Sequence, residues 1–356
     1  MYSRNFSMLI GMTTVAVVIA GWAVLSRPAT ESSDFDGTLV FPGLLESIDD
    51  LRTVVIRHKD GDLTLKLADS GWVYTDRDDY PVQNDKIGEL LVKLTRMEKV
   101  EPKTKLAEKY DRLDLVDPAE KEDTRAKEVI LKNSSGDHIA RLMVGKRKFT
   151  LGTSEGGTYV LVEDDPQAWL VTGELNPGAR PRDWLVREIS DIKDDDIRRI
   201  SVIHPDGEVL AVNKSTPDQA NYTVENVPTG MELKRDSIAG DMGRVLSNLL
   251  LDDVKKRKDV SFSQEETIRA TFEGFAGFTV QVELIEDGDE NWLRFRGTPP
   301  DSGSEKAGEE ATNWTQVITD LNTATEGWVY QLPGYEVAAL KKRVADMVRE
   351  SEEDGA

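Results

Sequence analysis

The sequence predicts an α+β protein: two tandem related units of mostly antiparallel sheet with packed helices, preceded by one N-terminal transmembrane helix. Three observations carry that reading. Leu51–Leu67, LRTVVIRHKDGDLTLKL, is written again from Ile197 as IRRISVIHPDGEVLAVN, at a constant offset of 146 (197 − 51). Each copy alternates apolar and polar residues around an Asp-Gly, the pattern of a half-buried strand pair joined by a turn that needs positive φ. Each copy is also followed by an apolar stripe at helical spacing: Ile87, Leu90, Leu91, Leu94 and Met97, then Ile238, Met242, Val245, Leu246 and Leu249. The third observation is Phe6–Leu25, a run of 20 residues without a charge. A helix of that length spans about 30 Å, the hydrocarbon core of a bilayer.

Residues 1–27 therefore read as a membrane anchor. Its apolar run is longer than the roughly 7–15 residues of a secretory leader, and Gly21-Trp22-Ala23 is a poor cleavage site, which favours an anchor over a removed signal peptide. Residues 28–47 are a tether rich in Pro, Thr, Ser, Asp and Gly. The expected orientation keeps the short N-terminal side inside and exports the large acidic portion; the expected location is a bacterial inner membrane, single-pass, with the bulk of the chain in the periplasm. The absence of cysteine removes disulfides, thiolate metal sites and cysteine nucleophiles. A net charge of −21 argues against nucleic acid as a partner.

The first repeat occupies residues 48–178. After the hairpin come a strand at Gly71–Tyr74, a polar turn at Asp76–Asp79 and a helix capped by Asn84-Asp85. Alternating hairpins follow at Val129–Val144 and Phe149–Val162, and a short helix at Gln167–Leu175 closes the unit. Residues 179–196 are a bridge containing Trp184-Leu185. The second repeat, 197–349, continues with a strand at Tyr222–Val224, a helix capped by Asp236, and strands within Ile268–Leu284 and at Leu293–Arg296. An insertion at 297–326 carries a short helix, Trp314–Leu321; a final helix, Tyr335–Val348, leads into a frayed acidic tail, 350–356.

Candidate chemistry is sparse. Gly152-Thr153-Ser154-Glu155-Gly156 fits the G-x-S-x-G pattern of a hydrolase nucleophile, but strands on both sides make it a hairpin loop instead of a strand-to-helix elbow. His58 and His204 are equivalent positions beside Asp60 and Asp206; duplication of a hairpin shoulder explains the match without a metal. Asp194–Asp196 and Glu286–Glu290 lack the spacing of a calcium loop. No catalytic residue, metal site or cofactor is predicted. The candidate partner-binding residues are Lys255, Lys256, Arg257 and Lys258, read as the one basic run of an acidic chain, and Trp314, a large aromatic in an inserted segment.

The strand with Trp72, then Tyr80-Pro81-Val82, the helix Asp85–Met97, Tyr110-Asp111-Arg112-Leu113-Asp114, Gly145, Tyr159 and Val227-Pro228-Thr229-Gly230 together resemble domain-of-unknown-function family 4340. The resemblance covers roughly Leu51 to Val260. It departs at Tyr110–Leu113, where relatives carry a tighter turn. It implies a single-pass exported protein grouped with gliding-motility-type ABC transporter components as an auxiliary subunit. The expected function is thus a non-enzymatic membrane-anchored interaction protein, partnered by an ABC-type permease or its auxiliary subunits. The alternative is an envelope hydrolase or ligand-binding protein with a cleft between the two repeats.

Overall fold

A computed structural model describes residues 37–149, 156–301 and 312–351. The predicted span Phe6–Leu25, Ser154 and the tail beyond Ser351 lie outside them. Among the described residues no helix is long and apolar enough to cross a membrane. The secondary structure is mostly antiparallel sheet with a few helices, an α+β architecture.

Two compact units share the chain and interleave along it. The first holds Ile56–Gly61 and Gly88–Pro177 with the described residues up to Leu51; the second holds Arg52–Val55, Asp62–Ile87 and the described residues from Gly178 onward. Residues that the sequence groups into its first repeat therefore contribute to both.

In the first unit the strands run Thr38–Leu39, Glu98–Thr104, Ala168–Thr172, Gly157–Val162, His138–Lys148 and Lys127–Lys132, each antiparallel to the next. Val129, Leu131, Leu142, Val144 and Val160 are buried, alternate positions that share a sheet face by the period-two rule. The segment read as a short helix, Gln167–Leu175, is instead the strand Ala168–Thr172. Four consecutive residues, Ala168–Val171, are buried because strands flank it on both sides. A short continuous apolar run gives no periodicity by which to tell strand from helix. The helix Asn84–Thr95 does form, with Ile87, Leu90, Leu94 and Met97 buried along one stripe. The Asn84 amide oxygen accepts from the Trp72 N–H at 3.2 Å.

The second unit is built on eight antiparallel strands in the order Thr223–Val224, Val209–Asn213, Ile197–Ile203, Ile268–Gly274, Thr279–Asp287, Glu290–Thr298, Trp328–Leu332 and Asp253–Lys256. The helix Trp314–Thr325 lies against Gly297, where a Cβ would sit 2.5 Å from Ile318 Cγ2. The Asn322 amide bonds both backbone groups of Gly297, at 2.8 and 3.0 Å.

Two predicted helices of this unit are corrected. The stripe after Asp236 yields only one helical turn, Gly240–Gly243, preceded by Ala239 and not capped by Asp236. Glycine costs a helix about 1 kcal/mol per position, and Gly243 serves close packing: a Cβ there would lie 1.7 Å from Asp194 Oδ1. The apolar residues are nevertheless buried, Met242, Val245, Leu246 and Leu249 among them. The final helix, Tyr335–Val348, breaks into short turns at Gly334–Val337, Ala338–Lys341 and Val344–Met347. Lys342 and Arg343 are extended because their side chains are drawn away to Asp241 and to Asp206 and Glu208. Val348–Glu350 then pairs as a strand with Met231–Leu233, so Glu350 is not part of a frayed tail.

Gly243 gives access to a buried polar centre. Lys214, with 1% of its side chain exposed, reaches Asp194 at 2.9 Å and lies over the Tyr222 ring at 4.7 Å. The Tyr222 hydroxyl donates to Asp194 at 2.8 Å, and burial followed by the Asp194 carboxylate holds its pKa far above the ordinary tyrosine value. Lys214→Met leaves Asp194 without its cation, and because that carboxylate is 30% exposed it rehydrates in part. The expected loss is about 2 kcal/mol, read from chemical denaturation. Nearby, Arg199 forks between Glu225 and Glu273. Hydrogen bonding by Arg199 and then Asn213 lowers the Glu225 pKa from 4.5 to about 2. A depressed carboxylate stabilises the fold above its unfolded pKa and loses that contribution as pH falls from about 4.5 towards 2. Glu225→Gln should therefore be less stable than the parent at neutral pH, with the gap closing across that acid window in pH-dependent unfolding.

Candidate functional site

Two surfaces, one in each unit, concentrate the chemistry. In the first unit a groove of about 730 Å³ opens on the sheet face opposite Val129 and Leu142. Cross-strand register builds its floor. Glu128, Met143 and Leu161 stand opposite one another on three neighbouring strands, and beside that row lie Arg141 and Glu163. Arg141 donates to Glu128 at 2.6 Å and to Glu163 at 3.1 Å; Glu128 is buried and also takes Arg57 at 3.2 Å. His138 Nδ1 lies 2.9 and 3.0 Å from the two Glu163 oxygens. Burial works against ionisation of Glu163, but the hydrogen bonds from His138 and Arg141 outweigh it and hold the carboxyl below its ordinary pKa. Asp165 is held down likewise: burial opposes, while Trp169 Nε1 at 3.0 Å and the Gln167 N–H at 2.9 Å prevail.

The groove's wall is the stretch Ala107–Leu113 and the residues after it. Tyr110 donates its hydroxyl to the Pro166 carbonyl at 2.5 Å, and Leu115 packs with Met143. This wall can approach the sheet only at Gly145, where a Cβ would sit 2.2 Å from the Leu113 carbonyl oxygen and 2.8 Å from that of Asp114. Both contacts are backbone, which cannot swing aside as a side chain can.

In the second unit the basic run lies on the last strand of the eight-stranded sheet, Asp253–Lys256, and on the turn Arg257–Asp259. Adjacent lysines point to opposite faces. The Lys255 ammonium sits 4.0 Å over the buried Trp292 ring and that of Lys256 sits 3.3 Å over Trp328. Tyr80 meets Trp328 edge-on at 4.9 Å, and Arg77 clamps Asp253 through two hydrogen bonds of 2.6 and 2.7 Å. Lys256, Arg257, Lys258 and Gly327 line an open hollow of about 520 Å³. Arg257 and Lys258 are exposed and make no ion pair among the described residues.

Trp314 stands apart from these cations in its packing: its ring stacks on buried Phe278 at 4.3 Å, so it fastens the helix Trp314–Thr325 to the sheet. The histidines also part company. His58 Nδ1 accepts from the Asp60 N–H at 3.2 Å, whereas His204 is buried with Nε2 2.9 Å from the Lys342 carbonyl. Among the described residues no group of three or more His, Asp and Glu is placed to hold a metal ion.

Residues 72–263 match the family described as Domain of unknown function (DUF4340). The chain belongs to that family. The DUF4340 match takes in the groove and the basic strand, and ends before the helix that carries Trp314. Neither the curated proteins nor the solved structures contain a match to this chain.

Sequence reasoning missed the groove, because its charged row hides inside a hairpin whose opposite face supplies the alternation. It also missed a second basic run, Lys146-Arg147-Lys148. Two of these cations are engaged locally, Arg147 with Glu174 at 2.6 Å and Lys146 with the Arg112 carbonyl at 3.0 Å. Gly145→Ala should cost about 1–3 kcal/mol, because the wall must move. Gly88→Ala, at a helix position with open space around its Cβ, should instead stabilise by about 0.5–1 kcal/mol. Thermal unfolding of the two variants checks the contrast.

Proposed function

We propose that this DUF4340 protein is a non-enzymatic, membrane-tethered and exported interaction protein, an auxiliary subunit of an ABC-type transport assembly at a bacterial inner membrane. In this reading Phe6–Leu25 is the anchor, and the exported portion arose by duplication of a unit beginning with the Asp-Gly hairpin. The two hairpins, Thr53–His58 with Gly61–Ala68 and Ile197–Ile203 with Val209–Asn213, support the duplication. The observation that carries the interaction role is the basic strand and turn at Lys255–Lys258. A chain with 66 acidic and 45 basic residues has carboxylates to spare, yet Arg257 and Lys258 are exposed and make no ion pair among the described residues, beside two tryptophan-stacked lysines. Such a surface suits an acidic face on a membrane-protein partner, where complementary charge sets encounter rate and orientation. Lysines on a terminal strand also discourage indiscriminate pairing with other sheets.

The ligand-binding alternative draws support from the groove inside the first unit, and the hydrolase alternative from the Ser154 motif alone. Cross-linking in membranes followed by purification tests the interaction reading. A partner recovered with the parent protein should fall by about tenfold with Lys256→Glu, Arg257→Glu and Lys258→Glu combined, and its recovery with the parent should decline as salt rises. Unchanged recovery by the charge-reversed protein would remove this surface from consideration.

A further inference from the structure

The groove of the first unit joins an apolar floor to an acidic rim. Met143 and Leu161 give the floor and Leu115 packs against it from the wall; Asp117, Glu120, Glu128, Glu163, Asp164 and Asp165 line it with a single guanidinium, Arg141. The charges within are not equivalent. Arg141 is spent on Glu128 and Glu163, and Glu128 is buried beneath its two arginines. Asp165 is spent on Trp169 and Gln167. Glu120 and Asp164 are exposed and enter no ion pair among the described residues. The arrangement therefore offers free negative charge at the mouth and carbon surface behind it. Its volume falls within the roughly 300–1,000 Å³ of ligand sites.

We infer that this groove receives a lysine- or arginine-bearing extended segment of a partner protein, the cation meeting Glu120 and Asp164 while flanking apolar side chains cover Met143 and Leu161. Long basic side chains suit this geometry because they lay an apolar stem along carbon surface and keep the charge at a polar rim. A segment fits better than a lone small amine: the groove is open, and flanking side chains can cover the partly exposed Leu161 and the remaining edge of the largely buried Met143. Anions are excluded, since the one guanidinium is already saturated by two carboxylates. This site is separate from the basic strand of the second unit and has the opposite charge preference.

Met143 provides a local reporter. In full-length protein carrying ¹³C-methyl methionine, its resonance is assigned by its loss in Met143→Leu. The peptide acetyl-Leu-Lys-Leu-amide is titrated in, with three comparators: acetyl-Leu-Glu-Leu-amide, the same lysine peptide acetylated on its side chain, and hexylamine. The expected result is a saturable Met143 shift with the lysine peptide alone. Glu120→Gln with Asp164→Asn should weaken that binding by about tenfold or more while the remaining methionine resonances keep their positions. Asparagine tolerates the positive φ of 61° at position 164, so the double variant retains the local backbone. No shift with the lysine peptide overturns the proposal. An equal shift with the glutamate or acetylated peptide also overturns it, since charge would then play no part. An equal response to hexylamine overturns the segment in favour of a free cationic amphiphile.

Discussion

Both sheets are covered on one face by a segment that comes down onto the strands at a residue without a side chain. At Gly145 the backbone carbonyls of Leu113 and Asp114 occupy the space of a Cβ; at Gly297 it is Ile318 and the Asn322 amide. An antiparallel sheet has two faces, and a face that is not solvated must be packed by something. The approach distance is set at those two glycines, and much else follows from it. The wall that makes the first unit's groove stands where Gly145 lets it stand. The helix Trp314–Thr325 lies close enough for Trp314 to stack on Phe278 because Gly297 admits Ile318.

Charge is organised around the same sheets. Arginine forks recur in the chain: Arg141 lies between Glu128 and Glu163, Arg199 between Glu225 and Glu273, and Arg343 between Asp206 and Glu208. The first two join neighbouring strands or a strand to the loop beside it; the third ties the Arg343 turn to the Asp-Gly turn at Asp206. Partly exposed pairs of this kind add little stability one by one, but they fix register and orientation. The exposed carboxylates Glu120 and Asp164 line the groove of one unit, and the exposed cations Arg257 and Lys258 line the hollow of the other, with opposite sign.

The sequence was most legible where a residue's neighbours are close in the chain. The Asp-Gly hairpins, the strand Gly71–Tyr74, the hairpin around Ser134–Asp137 and the stripe of Asn84–Thr95 are local patterns, and period and turn chemistry are enough to read them. Burial was legible even where conformation was not: Met242, Val245, Leu246 and Leu249 lie inside, though only one helical turn forms among them. The misread segments share one cause. Ala168–Thr172 is a strand because strands on both sides supply its hydrogen bonds. Tyr335–Val348 breaks because distant carboxylates hold Lys342 and Arg343.

What the sequence determined by itself is the α+β class, the two Asp-Gly hairpins, the apolar faces and the membership suggested by Trp72, Tyr110, Gly145 and Tyr159. Those depend on periodicity, turn residues and glycine, all properties of short stretches. Tertiary structure alone decided which charges meet. Glu128 and Arg141 are 13 residues apart and Arg77 and Asp253 are 176 apart, and nothing in their local context marks them as partners. Cross-strand register, set by the whole sheet, brings Met143 beside Leu161 and Arg141 beside Glu163. A groove or a basic surface is a relation between strands, and strand order is fixed by packing that no single stretch contains.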